Sequence, residues 1–190
     1  MRNIYKKEVL KLLKIHSYEY KEEGFTLASG QISKEYLDCK KVLCDGESLK
    51  FIAMALSSEL VWDGKECASQ AVGGLTMGAD PIAIAMAMSN DSPLYYWFSI
   101  RKTTKTHGTN SLVVGNVTPG TKVCIVEDVI TTGASTIEAI TKAKNFGLEV
   151  VQVLALVDRE QGGLDKIKEH LDSTVKVSAL CTLSEIKNAI

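Results

Sequence analysis

The chain has almost no net charge and few cysteines. Its 22 basic and 23 acidic residues leave a formal net charge of −1 at pH 7, which provides no global basic field for nucleic acid. The five cysteines form no CxxC pair and are typical of reduced packing thiols, so a zinc site is not expected. They are Cys39, Cys44, Cys67, Cys124 and Cys181. We therefore expect a cytoplasmic protein without a nucleic-acid partner, in which any anion binding is local.

Long apolar runs are also absent. The N-terminal stretch MRNIYKKEVLKLLKIH carries charges throughout and lacks the apolar core and cleavage site of a signal peptide. No other run is long enough to cross a membrane, so no membrane partner is expected. There is no internal repeat, low-complexity tract or interdomain linker. The length of 190 residues and the hydrophobic content of 45% predict one domain over residues 1–190.

The stretch VCIVEDVITTGAST, residues 123–136, is the most informative part of the chain. Continuous apolar residues from Val123 to Val126 predict a parallel strand that is buried on both faces. Glu127 and Asp128 follow, and a turn to Gly133 leads into a segment with helical apolar spacing. The predicted order is therefore strand, acidic pair, turn and helix.

This turn has the chemistry of a phosphate site. It offers hydroxyl groups, a glycine that permits close backbone approach, and the free N–H groups of a helix start. The candidate residues are Thr131, Thr132, Gly133, Ala134, Ser135 and Thr136. Glu127 and Asp128 can accept hydrogen bonds from vicinal ribose hydroxyls or bind hydrated Mg²⁺. On these residues alone, a solvated loop followed by an ordinary N-cap remains an equal alternative.

A second glycine-rich stretch, GGLTMGADP, covers residues 73–81. It follows a strand predicted over about 66–72 and precedes an apolar helix at 82–88. The backbone amides around Gly73, Gly74 and Thr76 could wrap a pyrophosphate, although an ordinary tight turn would explain an isolated loop of this kind. Because it is the second such loop, we interpret it as the other half of one site for a diphosphorylated sugar.

A cationic stretch follows the predicted aromatic strand at residues 94–100. Arg101, Lys102, Lys105 and His107 lie within seven residues and have no acidic neighbour. A solvated surface is the simpler explanation of such a run. Its position after a buried strand and its polar continuation to Gly115 instead predict a mobile cationic loop over about 102–111.

The remaining elements define the fold class. Residues 22–47 contain turn signals and inward-facing apolar residues that predict a small antiparallel lobe, which with the first helix covers about residues 1–46. Further helices are predicted at 48–62, near 164–171 and from 183, and strands at 150–157 and near 175–180. This alternation predicts a doubly wound α/β domain whose central parallel sheet is flanked by helices, with ligand loops at the carboxyl ends of the strands.

Together, these motifs resemble the orotate phosphoribosyltransferases, which are type I phosphoribosyltransferases. VCIVEDVITTGAST resembles the family's signature for ribosyl 5-phosphate and pyrophosphate. FTLASG, followed by SKEYLD, resembles the N-terminal hood that lies over the pyrimidine. RKTTKTHG resembles the catalytic loop, which crosses a dimer interface to the neighbouring site. The resemblance extends from about Gly24 to Gln161, and the chain is expected to be the stand-alone form without a fused decarboxylase.

The resemblance implies Mg²⁺-dependent transfer of a 5-phosphoribosyl group from phosphoribosyl pyrophosphate (PRPP) to orotate, in the biosynthesis of UMP, by a homodimer with shared active sites. It implies catalytic roles for Lys105, His107, Arg101 and Lys102, and places Glu127 and Asp128 on the ribose hydroxyls. Arg159, in the sequence DR, would meet the orotate carboxylate. The expected hood contacts come from Phe25, Ser29, Gly30 and Tyr36. Ala28 and Met77 stand where some relatives have lysines, so those two lysine roles do not transfer.

Two alternatives remain open from the sequence. The central motif identifies the sugar donor but not the acceptor, so the chain could serve another nucleobase. A non-catalytic regulator that senses PRPP could also retain this fold. Such a regulator would ordinarily need a nucleic-acid-binding surface, and the sequence shows neither an added helix-turn-helix nor a concentrated basic face beyond the cationic loop.

Overall fold

A computed structural model describes residues 2–26, 32–89, 92–103 and 111–189. In chain order its elements are α1 (Arg2–His16), β1 (Tyr18–Thr26), β2 (Ile32–Leu37), α2 (Lys40–Leu43), α3 (Gly46–Ser57), β3 (Trp62–Asp63), β4 (Glu66–Cys67), β5 (Ala71–Leu75), α4 (Ala79–Met88), β6 (Tyr96–Ile100), β7 (Val113–Gly115), β8 (Lys122–Ile130), α5 (Ala134–Phe146), β9 (Glu149–Asp158), α6 (Gly163–Glu169), β10 (Lys176–Thr182) and α7 (Leu183–Lys187). No helix in these ranges is long and apolar enough to cross a membrane.

The central sheet has six strands in the order β10-β9-β8-β5-β6-β7. All pairs are parallel except the edge pair β6–β7. One face packs on α1, α3 and α4 around Ile52, Ile82 and Leu154, and the other packs on α5 and α6 around Ile125 and Ile140. The sequence prediction of an α/β fold with a mostly parallel sheet is therefore confirmed. The chain winds outwards in opposite directions from β5 and β8, so a crevice forms at the carboxyl ends of these two strands.

The antiparallel N-terminal lobe is also confirmed. In the β1–β2 hairpin, Tyr18 pairs with Leu37 and Phe25 pairs with Ser33, with a register shift between Tyr20 and Phe25. The lobe is tied to the end of the chain because Lys187 Nζ lies 2.6 Å from Glu35 Oε1. The expected hood residues Ser29 and Gly30, and the variant position Ala28, lie outside the described residues.

Two strand boundaries differ from the sequence prediction. The strand predicted over 66–72 is divided into β4 and β5, and Gly73 and Gly74 lie inside β5 instead of in the following loop. A Cβ on Gly73 would lie 2.2 Å from Phe98 O, and one on Gly74 would lie 2.2 Å from Val126 O. These glycines therefore permit close approach of neighbouring backbone, which the sequence alone did not show.

The second difference is in β8, which continues through Glu127 and Asp128 to Ile130. Its ladder with β9 persists to the pair Ile130–Asp158, so backbone pairing carries the two acidic residues into the strand. The turn is consequently shorter than predicted.

Strand β7 lies where the sequence predicts only a polar continuation up to Gly115. Val113 is nevertheless buried and pairs with Ile100 at the sheet edge, while Val114 and Gly115 are exposed. A strand of three residues in a polar context has too few alternating positions to be recognised by periodicity.

Candidate active site

The two predicted ligand loops meet at the crevice between β5 and β8. Gly78, which precedes α4, lies against the carboxylate of Asp128. A Cβ on Gly78 would come within 2.6 Å of Asp128 Oδ1. The structure thus brings the acidic pair and the second glycine-rich loop together, as expected for one site that holds both ends of a diphosphorylated sugar.

The phosphate turn consists of Thr131, Thr132 and Gly133, directly before α5. Gly133, the N-cap residue, has a positive φ of 81° and no side chain with which to cap the helix. The first N–H groups of α5 therefore have no partner within the helix and can bind an anion. The turn packs closely against the start of α6, since a Cβ on Gly133 would lie 2.8 Å from Gly163 O.

Glu127 organises the first turn of α5. The side chain is buried, with the residue 5% exposed. Glu127 Oε2 accepts hydrogen bonds from Ser135 Oγ at 2.8 Å and from Thr136 Oγ1 at 3.1 Å. The sequence predicts both hydroxyls as phosphate donors, but the structure directs them to this carboxylate. These bonds join a strand to a helix across the turn, and no local sequence pattern indicates them.

Burial shifts the titration of Glu127. Desolvation, with a smaller contribution from the negative charge of Asp128, raises the pKa of this carboxyl to about 7, although the hydrogen bonds from Ser135 and Thr136 oppose the shift. In the ligand-free protein, Glu127 therefore exchanges its proton near neutral pH. The half-buried Asp128 accepts a hydrogen bond from the N–H of Val129 at 2.9 Å.

The raised pKa of Glu127 predicts a dependence of stability on pH. The folded state holds this proton more tightly than the unfolded state does, so ionisation of Glu127 destabilises the ligand-free protein as pH rises from about 4.5 to 7. Glu127→Gln should remove this contribution, up to roughly 3 kcal/mol over that range. Thermal or denaturant unfolding of wild type and variant at several pH values measures it.

Glu169→Gln, which changes an exposed carboxyl on α6, is the matched control and should leave the pH profile nearly unchanged. Parallel pH profiles for wild type and Glu127→Gln would show that Glu127 is not responsible.

The loop after β5 is shaped by Thr76. Thr76 N–H donates to Ile100 O at 2.9 Å, and Thr76 Oγ1 donates to Asp80 Oδ2 at 2.6 Å. The other oxygen, Asp80 Oδ1, is buried without a hydrogen-bond partner among the described residues. The peptide bond between Thr76 and Met77 is cis, and Met77 is exposed. Asp80 was not identified from the sequence, where its only sign is its four-residue spacing from Thr76.

Arg159 follows β9 and lies near both the phosphate turn and the N-terminal lobe. Its N–H donates to Ile130 O at 2.9 Å, which fixes the backbone beside the end of β8. The side-chain Nε is buried and has no hydrogen-bond partner among the described residues. The pKa of Glu35 is lowered mainly by Lys187 and more weakly by Arg159, so the guanidinium lies within electrostatic range of β2.

The described part of the lobe presents an aromatic pair. The Phe25 and Tyr36 rings stack with centroids 5.3 Å apart and planes inclined by 29°. Tyr36 is 37% exposed, so its ring retains an accessible surface. A stacked pair with one open ring is suited to contact with a planar ligand.

Two of the four predicted cations can be placed. Arg101 directly follows β6, its N–H donates to Leu112 O at 2.8 Å, and its Nη1 donates to Ser111 O at 3.4 Å. Lys102 is exposed next to it. Lys105 and His107, and most of the predicted loop, lie outside the described residues.

No model of a known protein family matches the sequence. The orotate phosphoribosyltransferase of Aquifex aeolicus is 39% identical over 184 residues, which cover 95% of this chain and 97% of that protein. The crystal structure of Mycobacterium tuberculosis orotate phosphoribosyltransferase with Fe(III) dicitrate matches with a TM-score of 0.80 and 30% identity, over 96% of this chain and 98% of that chain. The same enzyme in complex with PRPP matches with a TM-score of 0.76 and 27% identity, over 96% and 99% of the two chains. On this identity and coverage, the chain belongs to the orotate phosphoribosyltransferase family.

Proposed function

We propose that this chain transfers a 5-phosphoribosyl group from PRPP to N1 of orotate, giving orotidine 5'-monophosphate and pyrophosphate for UMP synthesis. The observation that carries the proposal is the uncapped start of α5 beside Glu127 and Asp128. The Nε of Arg159, which has no hydrogen-bond partner in the part of the chain that the structure describes, lies nearby. These groups match the three parts of the reaction: a phosphate, a ribose and an acceptor carboxylate. We further propose that residues 1–190 form one cytoplasmic domain.

The donor would bind across the crevice. The N–H groups of the phosphate turn would hold the 5-phosphate, and Asp128 would accept hydrogen bonds from the ribose hydroxyls. Glu127 would support this arrangement by holding Ser135 and Thr136 as well as by facing the ribose. The loop after β5, shaped by Thr76 and Asp80, would contact the diphosphate.

Cleavage of the anomeric C–O bond builds positive charge on the ribose and negative charge on the leaving pyrophosphate. Lys105, His107, Arg101 and Lys102 would stabilise the leaving group, because fixed cations are most effective where charge develops in the transition state. Exclusion of water by the loop that carries them would protect the activated ribosyl group from hydrolysis.

Arg159 and the aromatic pair would select the acceptor. A guanidinium can pair with the orotate carboxylate in a planar, bidentate geometry, and its buried Nε has no other partner among the described residues. The pyrimidine ring would lie under the lobe near Phe25 and Tyr36. Orotate is already anionic near neutral pH, so the reaction requires no strong general base.

Mg²⁺ fits the donor set. The described residues contain no group of three or more metal-ligating side chains. We therefore propose that the diphosphate carries the ion, with Asp128 or Glu127 contacting it through water. Mg²⁺ commonly keeps several waters and binds through one or two carboxylates and substrate phosphates. Bound there, the ion would neutralise charge on the diphosphate.

We propose a homodimer with shared active sites. A groove of about 830 Å³ lies between α1, α3 and α4, and its lining is mostly apolar. It includes Tyr5, Leu49, Met54, Met77, Ile84 and Met88. Since Met77 belongs to the loop after β5, a second copy that covers the groove would lie beside the diphosphate. This supports a dimer in which one subunit's cationic loop serves the other's site.

The dimer proposal predicts that Met88→Lys dissociates the protein and lowers activity by roughly tenfold or more, because a charge would be buried at the interface. Met88 is 76% exposed in the single chain, so the fold should tolerate the change. Light scattering and orotate turnover measure the two effects. Ile15→Lys, at a residue that is 71% exposed but outside the groove lining, is the control. Unchanged mass and activity in Met88→Lys would contradict the proposed interface.

The acceptor is tested by comparing orotate, uracil, hypoxanthine, guanine and adenine with PRPP and Mg²⁺. We expect turnover with orotate and little with the other bases, which lack the carboxylate. Turnover with a different base, and not with orotate, would show that this other base is the acceptor. Binding of PRPP without turnover of any base would favour a regulator.

A further inference from the structure

The end of β6 is held by an unusual lysine. Lys142, on α5, donates from Nζ to Arg101 O at 3.0 Å and to Lys102 O at 2.7 Å, and also to Glu138 Oε1. An ammonium group has three N–H donors, so all of them have partners. Its side chain is only 15% exposed, in contrast to most lysines. This contact therefore fixes two consecutive carbonyl groups against the helix.

These carbonyls belong to the start of the cationic stretch. Arg101 and Lys102 are the first two of its four cations, and the chain continues from them to Lys105 and His107. The backbone just before these carbonyls is also fixed, since Ile100 O accepts from Thr76 N–H at 2.9 Å and Arg101 N–H donates to Leu112 O at 2.8 Å. The start of the stretch is therefore held between the loop after β5 and the helix that begins at the phosphate turn.

We propose that Lys142 is a positioning residue, which sets where the cationic stretch leaves β6 relative to the phosphate turn. It touches no proposed substrate group and acts through the backbone of Arg101 and Lys102. The inference rests on the proposed function, because the charges that it places are those assigned to the leaving pyrophosphate. The physical basis of the proposal is that a misplaced charge stabilises the transition state much less than a correctly placed one.

The kinetic test is a double-mutant cycle with Lys105. Lys142→Met keeps most of the apolar stem but removes the donors, and should lower kcat about tenfold, while Lys142→Arg should retain more activity. In the Lys105→Ala background, Lys142→Met should lower kcat by clearly less than tenfold, because one of the charges that it places is already gone. If the double variant shows the product of the two single-variant losses in kcat, Lys142 acts independently of that stretch and the proposal is overturned.

Glu138→Gln is the matched control. It weakens the third contact of Lys142 but leaves both carbonyl contacts, so its kcat should remain within about twofold of wild type. An equal loss in Glu138→Gln and Lys142→Met would assign the effect to the ion pair on α5 and would also overturn the proposal.

Hydrogen exchange provides a readout that does not require turnover. The amide of Arg101 should exchange about tenfold faster in Lys142→Met than in wild type, with α5 amides unchanged. Unchanged exchange at Arg101 would refute the positioning role whether or not the chain is an enzyme. If wild type converts no base, the proposed function fails separately, and the exchange result alone decides whether Lys142 positions this backbone.

Discussion

Lys105→Ala should lower turnover by about 100- to 1,000-fold, the usual cost of removing one preorganised donor that stabilises transition-state charge. Asp128→Asn should also be strongly impaired, because the ribose hydroxyls would lose their proposed carboxylate acceptor. Both variants should remain folded, since Lys105 lies in a polar stretch and Asp128 is half-buried at the crevice. Steady-state kinetics and circular dichroism of each variant measure these effects.

Mixing the two impaired variants tests whether sites are shared. Under subunit exchange, a mixed dimer would have one site with both defects and one with neither. Random pairing makes half of the dimers mixed, so activity should recover to about a quarter of wild type. Asp128→Asn mixed with itself is the control and should show no recovery. Verified exchange without recovery in the mixed sample would mean that Lys105 serves its own subunit.

Arg159→Ala should raise the KM for orotate roughly 10- to 100-fold and leave the KM for PRPP much less changed. Only the acceptor loses a charge-assisted hydrogen-bond partner, and such bonds contribute about 1.5–3 kcal/mol. Initial rates with each substrate varied separately provide both constants. Equal changes in the two values would count against this assignment.

Loss of Arg159 also removes a positive charge near Glu35, so a second variant is needed to separate binding from distortion of the lobe. Lys187→Met removes the other cation near Glu35, whose carboxylate Lys187 contacts at 2.6 Å. It should leave the orotate KM within about threefold of wild type, as expected for a partly exposed ion pair.

The sequence was most informative where local pattern and chemistry coincide. Val123 to Val126 are continuously apolar and form the centre of buried β8, and the turn before α5 lies where its glycine and hydroxyl residues predicted. The parallel sheet followed from the alternation of apolar strands and amphipathic helices. These features depend on short-range periodicity and on turn chemistry, both of which can be identified in a single sequence.

The rest depended on contacts between distant residues. The sequence predicts a loop at Gly73 and Gly74. They lie in a strand instead, and glycine is needed there because the backbone of Phe98 and Val126, which are distant in sequence, approaches closely. The hydrogen bonds that direct Thr136 to Glu127 and Lys142 to Arg101 join separate elements, and no periodicity reports them. The same holds for the groove between α1, α3 and α4, which exists only after the helices pack.

The most direct test of the account follows orotate absorbance with purified protein, PRPP and Mg²⁺, together with the release of pyrophosphate. We expect loss of orotate absorbance with equimolar pyrophosphate formation, dependent on PRPP and Mg²⁺ and strongly reduced in Asp128→Asn. Unchanged orotate absorbance in the presence of folded protein that binds PRPP would contradict it.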